Sequence, residues 1–148
     1  MHTPIQTIRV KDLDGVSVDL MQKYKDQILL IIIYNNDCLG CTGRAIPLAY
    51  ELQQTYPTIQ VLGIHADFNN REGTKASIKA VFTSGDVPFP IYIDEHHQVY
   101  DQFNAEGTPQ WLLISEEGKL FRSIFGSQDN AQNRLYYAIE NLIETRKD

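Results

Sequence analysis

The stretch Gln27-Ile28-Leu29-Leu30-Ile31-Ile32-Ile33-Tyr34-Asn35-Asn36-Asp37-Cys38-Leu39-Gly40-Cys41 joins an unbroken aliphatic run to a pair of cysteines three positions apart. A run that is apolar at every position, rather than every second one, suits a strand buried on both faces. That is the condition of a parallel sheet with helices on either side. Downstream, Ala45 to Tyr56 carries helical spacing through Ile46, Ala49, Tyr50, Leu52 and Gln53. Pro47 falls inside the pattern and predicts a kink there, and Tyr56-Pro57 ends it. Ile59 to Ile64 reads as a second buried strand. Strand, helix and strand in succession make a βαβ unit, whose crossover is right-handed. The cysteines therefore fall between the first strand and the crossover helix.

Working outward, Ile5 to Val10 alternates as a strand, Asp14-Gly15 signals a tight turn, and Val16 to Val18 completes an N-terminal hairpin. Asp19 to Lys25 reads as a helical turn. Beyond the βαβ unit, Gly73 to Ser84 reads as a helix, Pro90 to Asp94 as extended chain, and His96 to Asn104 as a short helix. Gln110 to Ser115 and Lys119 to Phe125 flank the turn Glu117-Gly118, and Asp129 to Arg146 is an amphipathic helix with Leu135, Ala138, Ile139, Leu142 and Ile143 inward. This order predicts an α/β chain with a mixed sheet whose last two strands are antiparallel. No repeat or flexible linker interrupts it, so residues 1–148 read as one domain.

With 148 residues, 43% hydrophobic and 22% charged, the chain has the composition of an ordinary globular protein. A net charge of −6, with only Arg146-Lys147 adjacent among the basic residues, argues against a nucleic-acid partner. No segment approaches the ~20 apolar residues that span a bilayer. Met1-His2-Thr3-Pro4-Ile5 lacks a basic region and an apolar signal core. Read literally, this predicts a cytoplasmic protein; a leader or anchor already removed would make it periplasmic or otherwise extracytoplasmic.

Cys38 and Cys41 are the only cysteines, and they close too small a loop to restrain much of the chain. Their value lies in reactivity or in metal binding. A C-x-x-C pair between a buried strand and a helix, inside a βαβ unit, is the setting of a redox pair. Unpaired N–H groups and the positive dipole end at a helix N-terminus stabilise a thiolate on the first cysteine. They can lower its pKa from about 8.5 to about 7 or below. The second cysteine, one turn further in, is shielded and placed to attack a mixed disulfide. Gly40 is read as letting the loop bend close to a partner's backbone. Asp37 would cap the helix, but its charge beside Cys38 disfavours the thiolate, which suits a reductant more than a strong oxidant.

These residues resemble the TlpA/ResA-like branch of the thioredoxin superfamily, related to the AhpC/TSA proteins, over nearly the whole chain. Val10 to Leu20, with Asp12-Leu13-Asp14-Gly15, is similar to the family's opening hairpin, and Tyr24 to Leu30 to its strand entry. Cys38 to Cys41 matches its active-site pair, and Pro47 stands near its helix-kinking proline. Gly107-Thr108-Pro109 resembles the Gly-x-Pro loop in which the proline is cis and its neighbour offers backbone hydrogen bonds to a substrate peptide. Gly126 resembles the glycine that faces the disulfide. The resemblance implies a thioredoxin-like fold: a central mixed β-sheet flanked by helices, with an N-terminal β-hairpin. It implies a thiol–disulfide oxidoreductase with Cys38 and Cys41 as catalytic residues. Thr108, Pro109, Leu39, Gly40 and Gly126 then line the substrate site. No cofactor and no metal are implied. The partners would be protein or small-molecule disulfides or dithiols and a redox donor or acceptor.

The chain departs from that family in several places. Asn35-Asn36-Asp37 replaces its usual aromatic run, Leu39-Gly40 replaces the commoner proline dipeptides, and Ile32 stands where a buried acid can lie beneath the disulfide. Proton transfer to Cys41 then falls to another group, Asp67 or a water. Asn35 occupies the place of the threonine that precedes a peroxidatic cysteine, which argues against a peroxidase. Other readings stay open beside the redox one: a zinc half-site completed by His65, His96 or His97, an inert buried pair, a peroxidase, and a non-catalytic binding or chaperone module. His96-His97 reads as a solvated helix start, Asp94-Glu95 as a helix N-terminus, and Trp111, Phe68, Phe82, Phe89 and Phe103 as packing residues.

Overall fold

A computed structural model describes residues 3–68 and 73–147 of the chain. Met1 and His2, part of the N-terminal reading above, lie outside the described residues. The aliphatic run forms β4 (Ile28–Tyr34), with all seven residues buried. It runs parallel to β5 (Ile59–Ala66) in a register from Ile28↔Ile59 to Tyr34↔His65, and antiparallel to β7 (Gln110–Ile114). The remaining strands are β1 (Thr3–Pro4), β2 (Arg9–Lys11), β3 (Ser17–Asp19), β6 (Ile91–Asp94) and β8 (Lys119–Phe125). Together they make one mixed sheet in the order β1-β8-β7-β4-β5-β6-β2-β3.

The helices are α1 (Leu20–Lys23), α2 (Ile46–Thr55), α3 (Lys75–Ala80), α4 (Gln98–Gln102) and α5 (Asp129–Lys147). Both faces of β4 are covered, which is why the run shows no polar alternation. Ile28, Leu30, Ile32 and Tyr34 pack with Ala49 and Leu52 of α2, Ile78 of α3 and Leu135 and Ile139 of α5. Leu29, Ile31 and Ile33 pack on the opposite face with Leu20 of α1 and Val99 of α4. Each such aliphatic burial contributes about 1.5–3 kcal/mol, so β4 anchors both cores and holds the loop that follows it.

Several predicted elements change shape. The N-terminal hairpin forms, but as β2 with β3, while residues 5–8 belong to no strand. There the Ile8 amide donates to the Asp19 carboxylate at 3.0 Å instead of to a strand. The helix expected over Gly73 to Ser84 is confined to α3, capped by Thr74, and Val81 beyond it is 41% exposed. His96 and His97 are no ordinary helix start, since their φ values are +58° and +48°. The Asp94 carboxylate takes the Val99 and Tyr100 amides instead, so α4 is capped from inside. The irregularity expected at Pro47 appears just before it, as a π-helical turn over Cys41–Ala45. Pro47 has no N–H to continue an α ladder, and the wider turn precedes it in the chain.

Candidate functional site

The loop after β4 is fastened by its two asparagines. The Asn35 side chain donates to the Ala66 carbonyl and accepts the Asp37 amide, both at 2.8 Å. Its own carbonyl accepts the Cys38 amide at 3.0 Å. The Asn36 amide donates to His65 Nε2 at 3.2 Å, and its side chain donates to the Ser77 carbonyl at 3.0 Å. The two asparagines therefore bind this loop to β5 and α3.

Cys38, rather than Asp37, takes the N-cap position. Its carbonyl accepts the Cys41 and Thr42 amides at 3.1 and 3.2 Å, and its sulfur accepts the Cys41 N–H at 3.1 Å. A sulfur that accepts a helix amide is held where negative charge is favoured. Cys38 and Cys41 are joined as a disulfide, with Cα atoms 5.2 Å apart. Cys41 is fully buried in the α2 side of the core, whereas Cys38 is only partly buried. Leu39 between them is 86% exposed.

A second loop approaches the same sulfur. The Thr108–Pro109 peptide is cis, and the Thr108 carbonyl oxygen lies 3.4 Å from Cys38 Sγ. A disulfide sulfur carries no proton, so this is a contact in the oxidised chain; a Cys38 thiol formed by reduction could donate there. The Pro109 carbonyl accepts the Gly126 amide, and the Gly126 carbonyl accepts Trp111 Nε1–H, each at 2.9 Å. Trp111 is thus both core and a strut behind this loop. Gly126 has φ +110°.

Gly40 uses none of glycine's special backbone freedom. Its backbone is ordinary right-handed helix, at φ −66° and ψ −26°. What it supplies is room, because a Cβ there would sit 2.8 Å from Ser127 Oγ. Leu39 and Gly40 thus adjoin the disulfide, the Thr108 carbonyl touches Cys38, and Gly126, on the segment after β8, backs the cis peptide through the Pro109 carbonyl. Ile32 is fully buried on the strand below. Asp67 Oδ1 is engaged by His65 and Gly73, while its buried Oδ2 has no hydrogen-bond partner among the described residues. Burial pushes the Tyr34 hydroxyl's pKa far up, so it stays neutral near the site.

One rim residue gave no sequence signal. The Phe125 ring, 44% exposed, lies against Gly107, where a Cβ would come within 2.9 Å of it. An aromatic at a strand end paired with a glycine before the cis-proline loop is a cross-strand relation, and only the pairing of β7 with β8 reveals it.

The family model described as AhpC/TSA family matches residues 1–123. The thioredoxin-like protein SkfH of Bacillus subtilis is 18% identical over 101 residues, covering 68% of this chain and 70% of that protein. Among solved structures, a candidate thiol:disulfide interchange protein DsbE from Chlorobium tepidum superposes with a TM-score of 0.78 at 17% identity, covering 95% of this chain and 96% of its own. A thiol-disulfide isomerase from Corynebacterium glutamicum gives 0.74 at 18% identity, over 93% and 95%. The pneumococcal exposed lipoprotein thioredoxin Etrx1 gives 0.71 at 19% identity, over 91% and 99%. The overlaid sheets and helices are those of the thioredoxin fold, and the match over residues 1–123 places the chain in the AhpC/TSA family.

Proposed function

We propose that this protein is a thiol–disulfide oxidoreductase in which Cys38 attacks and Cys41 resolves. The observation that carries the reading is the asymmetry of the pair: Cys38 is reachable and caps a helix with its sulfur, while Cys41 is buried one turn in. In the reducing direction the Cys38 thiolate attacks one sulfur of a substrate disulfide. The substrate's S–S bond breaks, its leaving thiolate takes a proton from water, and a mixed disulfide forms. The Cys41 thiol gives its proton to solvent or a neighbouring group and attacks Cys38 Sγ, releasing the second substrate thiol. Two electrons pass to the substrate, and the chain is left with the Cys38–Cys41 bond. A dithiol partner must then reduce that bond.

Thr108 and Pro109 would offer backbone to the substrate strand beside Cys38. Leu39 would meet its side chains, Gly40 would leave space, and Gly126 would hold the Pro109 carbonyl. Asp37 next to Cys38 supports work as a reductant, because its charge opposes a very acidic thiolate. The likeness to an exposed pneumococcal lipoprotein supports an extracytoplasmic site of action, where protein disulfides form. Among the described residues no helix is long and apolar enough to cross a membrane.

Insulin reduction tests the reading. With a regenerating dithiol, the wild type should turn over insulin disulfides and Cys38→Ser should not. Cys41→Ser should instead accumulate a mixed disulfide through Cys38. Equal turnover by the wild type and Cys38→Ser would end this reading in favour of a binding module. Thiol trapping in the native host, with Cys41→Ser as bait, reports both compartment and substrates.

A further inference from the structure

The active-site loop rests on a buried histidine–aspartate pair that disulfide exchange does not itself use. His65, on β5, is 4% exposed, and Asp67 just beyond is 6% exposed. His65 Nδ1 lies 2.9 Å from Asp67 Oδ1, which also accepts the Gly73 amide at 2.9 Å. On the other side of the ring, Nε2 receives the Asn36 backbone N–H. A backbone amide can only donate, so Nε2 must present a lone pair, and the ring proton belongs on Nδ1, donated to the carboxylate. Partners on both sides thus select one neutral tautomer. The pocket also fits the ring closely. Tyr34 meets it edge-on at 5.3 Å, and a Cβ on Gly73 would sit 2.8 Å from Nδ1.

We propose that His65, oriented by Asp67, is a positioning residue for Cys38. Consecutive β5 residues, His65 and Ala66, grip consecutive loop residues, Asn36 and Asn35. Asn35 in turn accepts the Cys38 amide, so this grip decides where the helix begins and where its first sulfur stands. Here a histidine and two asparagines do by hydrogen bonding what an aromatic run would do by packing. The inference rests on Cys38 being the attacking sulfur, but it concerns how that sulfur is held.

The test compares His65→Leu, which removes both ring nitrogens, with His65→Gln, whose amide oxygen can still accept the Asn36 amide. In the reduced chain, His65→Leu should slow iodoacetamide alkylation of Cys38 by about fivefold near neutral pH, the order expected for one lost hydrogen bond. It should move the pH midpoint of that reaction upward and speed hydrogen exchange at the Asn36 amide. His65→Gln should recover most of each change. Wild-type rates and pH profile in His65→Leu, or equal impairment in both variants, would overturn the proposal. Should His65→Leu fail to fold, nitrogen-15 NMR of the wild type decides: the Nδ1–H tautomer is expected, and an Nε2–H tautomer overturns it. Neither readout needs a substrate disulfide. A wild type that alkylates at Cys38 yet leaves insulin intact would therefore count against the exchange reading alone.

Discussion

Replacing Gly126 by alanine isolates the backbone of the loop behind Pro109. At φ +110° the residue lies where side-chain-bearing residues are rarely found, and forcing one there costs on the order of 1–3 kcal/mol. Packing adds nothing, because the new methyl would meet only the Ala131 Cβ, at an ordinary 3.8 Å. The whole loss should therefore be conformational. Gly43→Ala is the matched control. It sits in the helical turn with open space around it, and alanine is favoured over glycine in a helix by up to about 1 kcal/mol. Urea unfolding of the oxidised chain should show Gly126→Ala with a lower midpoint at unchanged slope and Gly43→Ala with an equal or higher one. For a chain of this size each kcal/mol corresponds to roughly 2–4 °C in Tm. Folded Gly126→Ala keeps the backbone N–H that donates to the Pro109 carbonyl, so insulin turnover per folded molecule should hold. Two variants within about 0.5 kcal/mol of each other would refute the reasoning, because the positive φ would then impose no cost.

Leu39→Glu should leave stability within about 0.5 kcal/mol, because the side chain is 86% exposed. It should slow reduction of insulin while sparing a small aromatic disulfide, and equal slowing of both would remove Leu39 from the substrate surface. Trp111→Phe should lose about 1–3 kcal/mol in urea, since it leaves the Gly126 carbonyl without its indole donor; a loss no larger than a surface change would contradict that strut. Burial raises the pKa of Tyr24 and Tyr34, and burial with a hydrogen bond to Glu140 pushes Tyr56 up to about 12. Unfolded tyrosines ionise near the ordinary 10.0, so above that pH the unfolded chain releases protons first and stability falls as pH rises. Absorbance titration at 295 nm should show delayed ionisation in the folded chain together with falling urea midpoints. Ionisation near pH 10 without a loss of stability would contradict those burials.

The βαβ centre was legible because its signals are local: an all-apolar run means two covered faces, and C-x-x-C between strand and helix means a sulfur at a helix end. The Gly-Thr-Pro loop was legible only through family resemblance, since no local rule brings Thr108 to Cys38 across 70 residues. What misled were patterns whose outcome depends on distant partners. The apolar spacing of α3 runs on through Val81, but that residue faces solvent and Gly85 takes φ +73°. Ile5 to Ile8 alternates as a strand does, yet Asp19 captures the Ile8 amide. His96-His97 sits on a helical pattern, but the Asp94 carboxylate reaches past it to cap α4. Asn35 and Asn36 carried no sequence signal of purpose, because their meaning lies in β5 carbonyl and imidazole groups that only the parallel pairing brings alongside.

The two sulfurs must differ in reactivity if one attacks and the other resolves. Treating the freshly reduced chain with a limiting amount of iodoacetamide near neutral pH, then mapping the modified peptide by mass, reads that difference directly. Modification should fall on Cys38 with Cys41 left free. Equal labelling, or labelling of Cys41 first, would contradict a reachable sulfur at the helix end backed by a buried partner.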